Sequence, residues 1–153
     1  MRGVAILGAA AMLAGGALPW VDVGLGMELR PFDALQTAWR DYGIELPREM
    51  AVLGASFLLA GLALLMALAG RPHRGLTFFA GALPWGYVGW QLWRAEDQVA
   101  EIGLSLTDFR GIFDLGWDTV RQVAELGLYL YWLGAAAVLL AGLVGFGRHA
   151  ARA

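Results

Sequence analysis

The chain has 153 residues, of which 59% are hydrophobic and 16% are charged, and its net charge is −2. Soluble domains carry about 45–50% apolar and about 25% charged residues, so this composition predicts a membrane protein. The chain contains no cysteine, which excludes disulfides, thiolate catalysis and cysteine-ligated metals.

Four runs without charged side chains predict four transmembrane helices. They cover residues 3–20, 50–70, 76–93 and 128–147. Each run is close to the roughly 20 residues that cross a hydrocarbon core of about 30 Å. The first run also has features of a signal peptide, but we expect a retained helix. The predicted fold is therefore an all-α, four-helix transmembrane bundle, organised as a single membrane domain over residues 1–153.

The distribution of charge predicts the orientation of the bundle. Five arginines and no acid lie at the two termini and in the short loop after residue 70. The two long loops, residues 21–49 and 94–127, hold the other six arginines and all thirteen acids, a net charge of −7. Short basic segments mark the cytoplasmic side. We therefore expect both termini to be cytoplasmic and the long loops to lie outside. All basic residues except two histidines are arginine, which indicates a GC-rich bacterial genome, so the expected membrane is a bacterial inner membrane.

The first outer loop is expected to fold. Apolar residues alternate from Val21 to Leu29, which is the period of a strand, and two glycines within this stretch favour a hairpin. Pro31 suits a helix start, and Gly43 suits a helix end. Between them, apolar residues recur at helical spacing, which predicts a short amphipathic helix over residues 32–42.

The second outer loop is expected to begin as an extension of the third helix. A strand over residues 104–107 and a second amphipathic helix, with Ala124 on its apolar face and its end near Gly127, would follow. A hairpin becomes stable when a third strand or a helix covers it. We therefore expect one outer cap, a short β-hairpin or sheet plus amphipathic helices, resting on the bundle. Its apolar contacts are expected at Phe32, Trp39, Phe113 and Trp117.

The pentapeptide GALPW occurs twice, at residues 16–20 and 81–85, through either an internal duplication or chance. The first copy ends a span at the membrane interface. The second copy lies too early in its span to end it, so the third helix must continue through Pro84 with a kink. This bend is our candidate groove for a ligand or a partner. It comprises Gly81, Pro84, Trp85, Gly86 and Trp90.

Small residues predict a close helix–helix contact on the fourth span. Ala137, Ala141 and Gly145 recur at every fourth position, and such stripes let helices approach closely. Most of these contacts are expected within the bundle, but one stripe could serve an oligomer or a larger complex.

The spans contain no side chain that ionises at neutral pH, which argues against proton relays and coupled transport. Ser56 lacks a histidine on its side of the membrane to act as a base, and His73 and His149 lie at the wrong depth to hold a pigment. The acidic loops show no spacing typical of a cation-binding loop, and an acidic exterior disfavours nucleic-acid binding. We expect no enzyme activity, no metal and no cofactor.

The layout resembles that of claudin-like tetraspan proteins in topology: both termini inside, four helices, a first outer loop beginning as strands, and a long third helix. Gly24-Leu25-Gly26 stands roughly where the claudin signature has Gly-Leu-Trp, and the signature cysteines are missing, so pore or adhesion function is not implied. The chain also resembles small four-span proteins of high-GC bacteria, in which a Leu-Pro-Trp exit, here residues 18–20, leads into a strand-rich outer loop. That resemblance implies no activity.

These observations predict a non-enzymatic multi-pass membrane protein. Our leading hypothesis is an accessory or scaffold subunit of a larger membrane complex. One alternative is a module that binds or transports a lipid, carotenoid or quinone; another is a self-assembling, claudin-like tetraspan. The expected partners are the lipid bilayer and other membrane subunits or further copies of the chain.

Overall fold

The computed structural model describes residues 1–22, 28–43, 45–101 and 124–150, and this part of the chain is mostly helical. In chain order, the elements are α1 (Arg2–Ala17), β1 (Val21–Asp22), β2 (Glu28–Leu29), α2 (Pro31–Tyr42), α3 (Arg48–Leu68), α4 (Arg74–Glu101) and α5 (Leu126–Ala150). The prediction of a mainly helical protein is confirmed.

Four of the helices form a bundle in which α1 and α4 each pack against both α3 and α5. Small side chains dominate its core, so the helix backbones lie close together. The buried cluster consists of Ala9, Met12, Phe57, Ala60, Ala63, Ala80, Tyr131, Ala135 and Val138.

Two helices of the described part are, by length and composition, suited to cross a membrane: Arg48–Leu68 and the Leu126–Gly145 portion of α5. Helix α1 is apolar but shorter, with 16 residues. Helix α4 runs without a break through Pro84 to Glu101, as predicted for the third helix and its extension.

Helix α1 ends at Ala17, three residues before the predicted end of the first span. The cause is Pro19, because a proline disfavours helical geometry in the residue that precedes it. Leu18 is accordingly extended, with φ −89° and ψ 156°. The indole Nε1 of Trp20 then donates a hydrogen bond to the carbonyl oxygen of Gly15 at 2.7 Å, which satisfies one of the free carbonyls at the helix end.

The segment between α1 and α3 contains both elements that were predicted there, a strand pair and a helix. Strands β1 and β2 pair antiparallel, with Val21 opposite Leu29 and Asp22 opposite Glu28. Helix α2 begins at Pro31 and is followed by Gly43, whose φ of +55° lies in the left-handed region that glycine adopts without strain. Residues 23–27, where the sequence predicts the turn of the hairpin, lie outside the described residues.

Ala124 was predicted to lie on the second amphipathic helix, and this prediction is wrong. Ala124 forms an antiparallel bridge with Val21, and the amide of Glu125 donates to the carbonyl oxygen of Trp20 at 2.9 Å. Because this backbone is paired in the strand direction, it cannot continue a helix, and α5 starts at Leu126. The predicted strand at 104–107 lies outside the described residues.

Candidate functional site

Helix α2 is attached to the bundle through a row of aromatic rings. The Phe32 ring contacts Phe57 of α3 edge-on, with centroids 4.7 Å apart. Phe57 contacts Tyr131 of α5 at 5.2 Å, and Tyr131 contacts Trp20 at 4.9 Å. A Cβ atom added to Gly16 would lie 2.6 Å from the Phe32 ring, so this glycine makes room for the ring. Phe32 thereby fixes the start of α2 on the bundle.

The hydroxyl groups of Ser56 and Tyr131 meet at the contact between α3 and α5. Ser56 donates a hydrogen bond to the carbonyl oxygen of Leu53 at 2.7 Å. Its Oγ lies 2.7 Å from the hydroxyl of Tyr131. Because the Ser56 proton is already engaged, Tyr131 is the donor of this second bond. Both side chains are buried and satisfied, so the pair has a packing role.

Beyond the Phe32 anchor, an open apolar groove of about 790 Å³ lies between α2 and α3. We call it the α2–α3 groove. Its lining consists of Leu13 of α1, Leu35, Gln36 and Trp39 of α2, Leu46, and Met50, Ala51, Gly54, Ala55, Phe57, Leu58, Gly61, Leu62 and Leu65 of α3. Pockets that hold drug-sized ligands measure about 300–1,000 Å³, so this volume suits a ligand of that size.

The groove is long and open on its outer side. Its lining along α3 runs from Met50 to Leu65, which at 1.5 Å per residue corresponds to about 22 Å. The side chain of Leu58 is 72% exposed. A Cβ atom added to Gly61 would meet no described atom within 4 Å, apart from the nearby backbone of its own helix. At Gly54, such an atom would meet only the tip of Leu35, at 3.5 Å.

The end of the groove near α2 is lined by side chains of the amphipathic helix. Leu35 packs over Gly54, and Trp39 lines the groove while remaining 64% exposed. Before α2, Glu28 accepts a hydrogen bond from Arg30 at 2.9 Å, and this contact raises the pKa of the exposed Arg30 guanidinium. A charged pair thus lies before α2, while the groove beneath the helix is apolar.

The residues predicted at the Pro84 bend face two directions. Gly81 and Pro84 are buried in the bundle, and a Cβ atom added to Gly81 would lie 2.6 Å from the carbonyl oxygen of Ala135. Gly81 therefore serves the packing of α4 on α5. An added Cβ at Gly86 would meet no described atom within 4 Å, which places Gly86 on the outside of α4.

The two tryptophans of the predicted bend site are both partly exposed. Trp85 is 44% exposed and contacts the Trp132 ring at 4.8 Å. Trp90 lies 5.9 Å from the Tyr87 ring, and the guanidinium of Arg94 lies 5.4 Å from the centroid of Trp90. The structure therefore does not bring the five predicted residues around one common space.

The small-residue stripe of α5 lies against neighbouring helices. A Cβ atom added to Gly8 of α1 would lie 3.0 Å from Ala137. Ala141 is buried, and a Cβ added to Gly145 would lie 3.3 Å from the side chain of Arg74. The stripe thus serves contacts within the bundle. Of the predicted cap residues, Phe32 anchors α2 and Trp39 lines the groove, whereas Phe113 and Trp117 lie outside the described residues.

The α2–α3 groove was missed by the sequence analysis, although signals for its two walls are present. Leu35 and Trp39 share one face of the predicted amphipathic helix, and Ala51 and Ala55 are small residues one turn apart on α3. Among the described residues, no group of three or more histidine, aspartate or glutamate side chains is placed to hold a metal ion. No family model, curated protein or solved structure matches this chain.

Proposed function

We propose that this chain is a non-enzymatic, four-span membrane protein that holds a molecule with a long hydrocarbon tail in the α2–α3 groove. The groove, apolar and 790 Å³ in volume, is the observation that carries the proposal. Lipids, quinones and carotenoids share such a tail, and the acyl chain of a membrane lipid is the occupant to which we commit.

The proposed four spans rest on the packing of the bundle. Helices α1 and α4 both lie against α3 and α5, the two helices suited to cross a membrane, so all four share one depth. The 16 residues of α1 rise about 24 Å, and the extended Leu18–Trp20 segment completes the crossing. The acidic loops would then lie outside a bacterial inner membrane, with α2 and the hairpin as a cap, in a tetraspan layout similar to that of claudins.

A flexible tail fits the groove better than a partner helix does. The lining is apolar apart from Gln36, and it follows the hydrophobic run of α3, where lipid tails are the surrounding medium. Leu35 and Trp39 of α2 line one end. A straight helix lying along α3 would collide with α2 there, whereas an acyl chain can bend beneath it.

The test is to fill the groove without disturbing the fold. Gly61→Trp places an indole in open space, because an added Cβ at Gly61 meets no described atom within 4 Å. The matched control is Gly86→Trp, at an equally open glycine on α4. Native mass spectrometry from a mild detergent is expected to detect one retained lipid fewer on Gly61→Trp than on the wild type and on Gly86→Trp. Equal retention by both variants, or no lipid on the wild type, would refute the proposal.

A second candidate function is that of an accessory or scaffold subunit. The outer face of α4 favours it, because Gly86 and Gly89 have no described atom within 4 Å of an added Cβ, and open glycines let a partner helix approach closely. Trp85 and Trp90 lie exposed beside them. The same two variants separate the candidates, since Gly86→Trp is expected to abolish co-purification of a partner while Gly61→Trp preserves it. A defined homo-oligomer by mass measurement in detergent would instead support self-assembly.

A further inference from the structure

The basic end of the bundle, where α1 begins and α3 ends, holds a fixed arginine. The Nε of Arg2 donates to the carbonyl oxygen of Ala67 at 2.8 Å, and its Nη2 donates to that of Leu68 at 3.0 Å. These carbonyls belong to the last turn of α3, where they lack partners within the helix and carry partial negative charge. The guanidinium is therefore held in place, while its Nη1 group makes no hydrogen bond to the described residues.

A cavity of about 230 Å³ lies beside this arginine, between α1, α4 and α5. Its lining includes Arg2, Ala5, Arg74, Thr77, Ala141 and Gly145. Liquid water occupies about 30 Å³ per molecule, so the cavity accommodates a group several times that size, such as a phosphate.

The charge around the cavity is positive and has no acidic counterpart. Arg2 and Arg74 are its charged lining side chains, and Arg74 has no ion pair or hydrogen bond among the described residues. No aspartate or glutamate occurs in residues 1–21, 50–95 or 126–153. Two arginines at one cavity without a carboxylate between them make it a favourable place for an anion from outside the chain.

We propose that this cavity binds the phosphate group of an anionic phospholipid in the leaflet at the basic end. Guanidinium groups bind phosphate through paired, charge-assisted hydrogen bonds, and basic pockets between membrane helices are suited to anionic headgroups. The cavity lies at the helix ends, the depth at which phospholipid phosphates reside. This proposal depends on the proposed membrane location but not on the α2–α3 groove, so loss of tail binding in Gly61→Trp leaves it intact.

Arg74→Gln tests the site, with Arg71→Gln as the matched control. Arg71 is an exposed arginine only three residues away that does not line the cavity. Titrating phosphatidylglycerol into purified protein in a neutral detergent is expected to raise the thermal midpoint of the wild type and of Arg71→Gln. Arg74→Gln is expected to bind about tenfold more weakly, since one charge-assisted hydrogen bond is lost. Arg74→Lys, which keeps the charge but not the paired geometry, is expected to be intermediate.

Titrations with two further ligands identify the anion. Phosphatidylcholine and inorganic phosphate, titrated in the same way, are expected to give a smaller rise in the midpoint than phosphatidylglycerol. Inorganic phosphate acting as strongly as the anionic lipid would overturn the assignment to a lipid. If Arg74→Gln and Arg71→Gln weakened phosphatidylglycerol binding equally, the effect would come from general surface charge. That result would overturn the assignment of the binding site to this cavity.

Discussion

Glycines mark two regions of this molecule that differ in what lies beside them. Along the contact between α1 and α5, a Cβ atom added to Gly134 would lie 2.6 Å from the carbonyl oxygen of Gly8, and one added to Gly127 would lie 2.6 Å from that of Pro19. On the outer faces of α3 and α4, an added Cβ at Gly61 or Gly86 would meet no described atom within 4 Å. The first glycines bring backbones into contact; the second leave room for molecules outside the chain.

The α1–α5 contact also has a regular spacing. Gly8 and Gly15 are seven residues apart on α1, and Gly127 and Gly134 are seven apart on α5. Gly8 packs against Gly134, and Gly15 packs against Gly127. The two helices are therefore antiparallel here, and the two glycine contacts are two helical turns apart. Because backbone lies against backbone at both points, neither side can move aside for a larger residue.

The largest effect is expected at this contact. Gly134→Val should destabilise the bundle by about 3 kcal/mol or more, at the upper end of the cost of overpacking, because the new side chain meets backbone atoms. Thermal unfolding in detergent measures the change. Gly61→Val on α3 is the control, and its midpoint should stay near that of the wild type. If both variants lost similar thermal stability, the two regions would not differ in packing as we describe.

A smaller effect is expected where α2 is attached. Phe32→Ala removes the ring that lies between Gly16 and Phe57 and should cost about 2 kcal/mol, less than the 3–5 typical of a fully enclosed phenylalanine. Protease cleavage within α2 should become faster while the four helices of the bundle, α1, α3, α4 and α5, remain protected. Trp39→Ala, at an exposed position of the same helix, should not accelerate cleavage. Equal cleavage of both variants would show that Phe32 is not the anchor.

The elements set by local rules were predictable from the sequence. Pro31 and Gly43 bound α2 as expected, and the third helix continues through Pro84, since each depends on backbone sterics of one or two residues. The open face of α3 was not predictable, because it depends on where α2 rests. That position is set by the contact of Phe32 with Gly16 and with Phe57, and such contacts between residues distant in the chain leave no local pattern. Small residues occur on several helix faces, so their spacing alone does not tell a filled face from an open one.

The hydroxyl pair in the bundle should contribute about 1 kcal/mol. Tyr131→Phe leaves the ring contacts in place and removes only the hydrogen bond to Ser56, and bonds of this kind between membrane helices average about 0.6 kcal/mol, with a maximum of about 1.7. Ser56→Ala and the double variant complete a thermodynamic cycle. Additive losses would indicate that the two hydroxyls do not interact.

The smallest expected effect has the opposite sign and separates the two regions most sharply. Gly61→Ala should stabilise the free protein by about 0.5–1 kcal/mol, because alanine loses less backbone entropy than glycine in a helix and its methyl group meets no described atom within 4 Å. Gly15→Ala should destabilise it, since an added Cβ would lie 2.7 Å from the carbonyl oxygen of Gly127. Thermal unfolding of both variants after complete delipidation checks the signs. If Gly61→Ala were destabilising in delipidated protein, the open face of α3 would have to be covered by the chain itself, and the α2–α3 groove would not be available to a ligand.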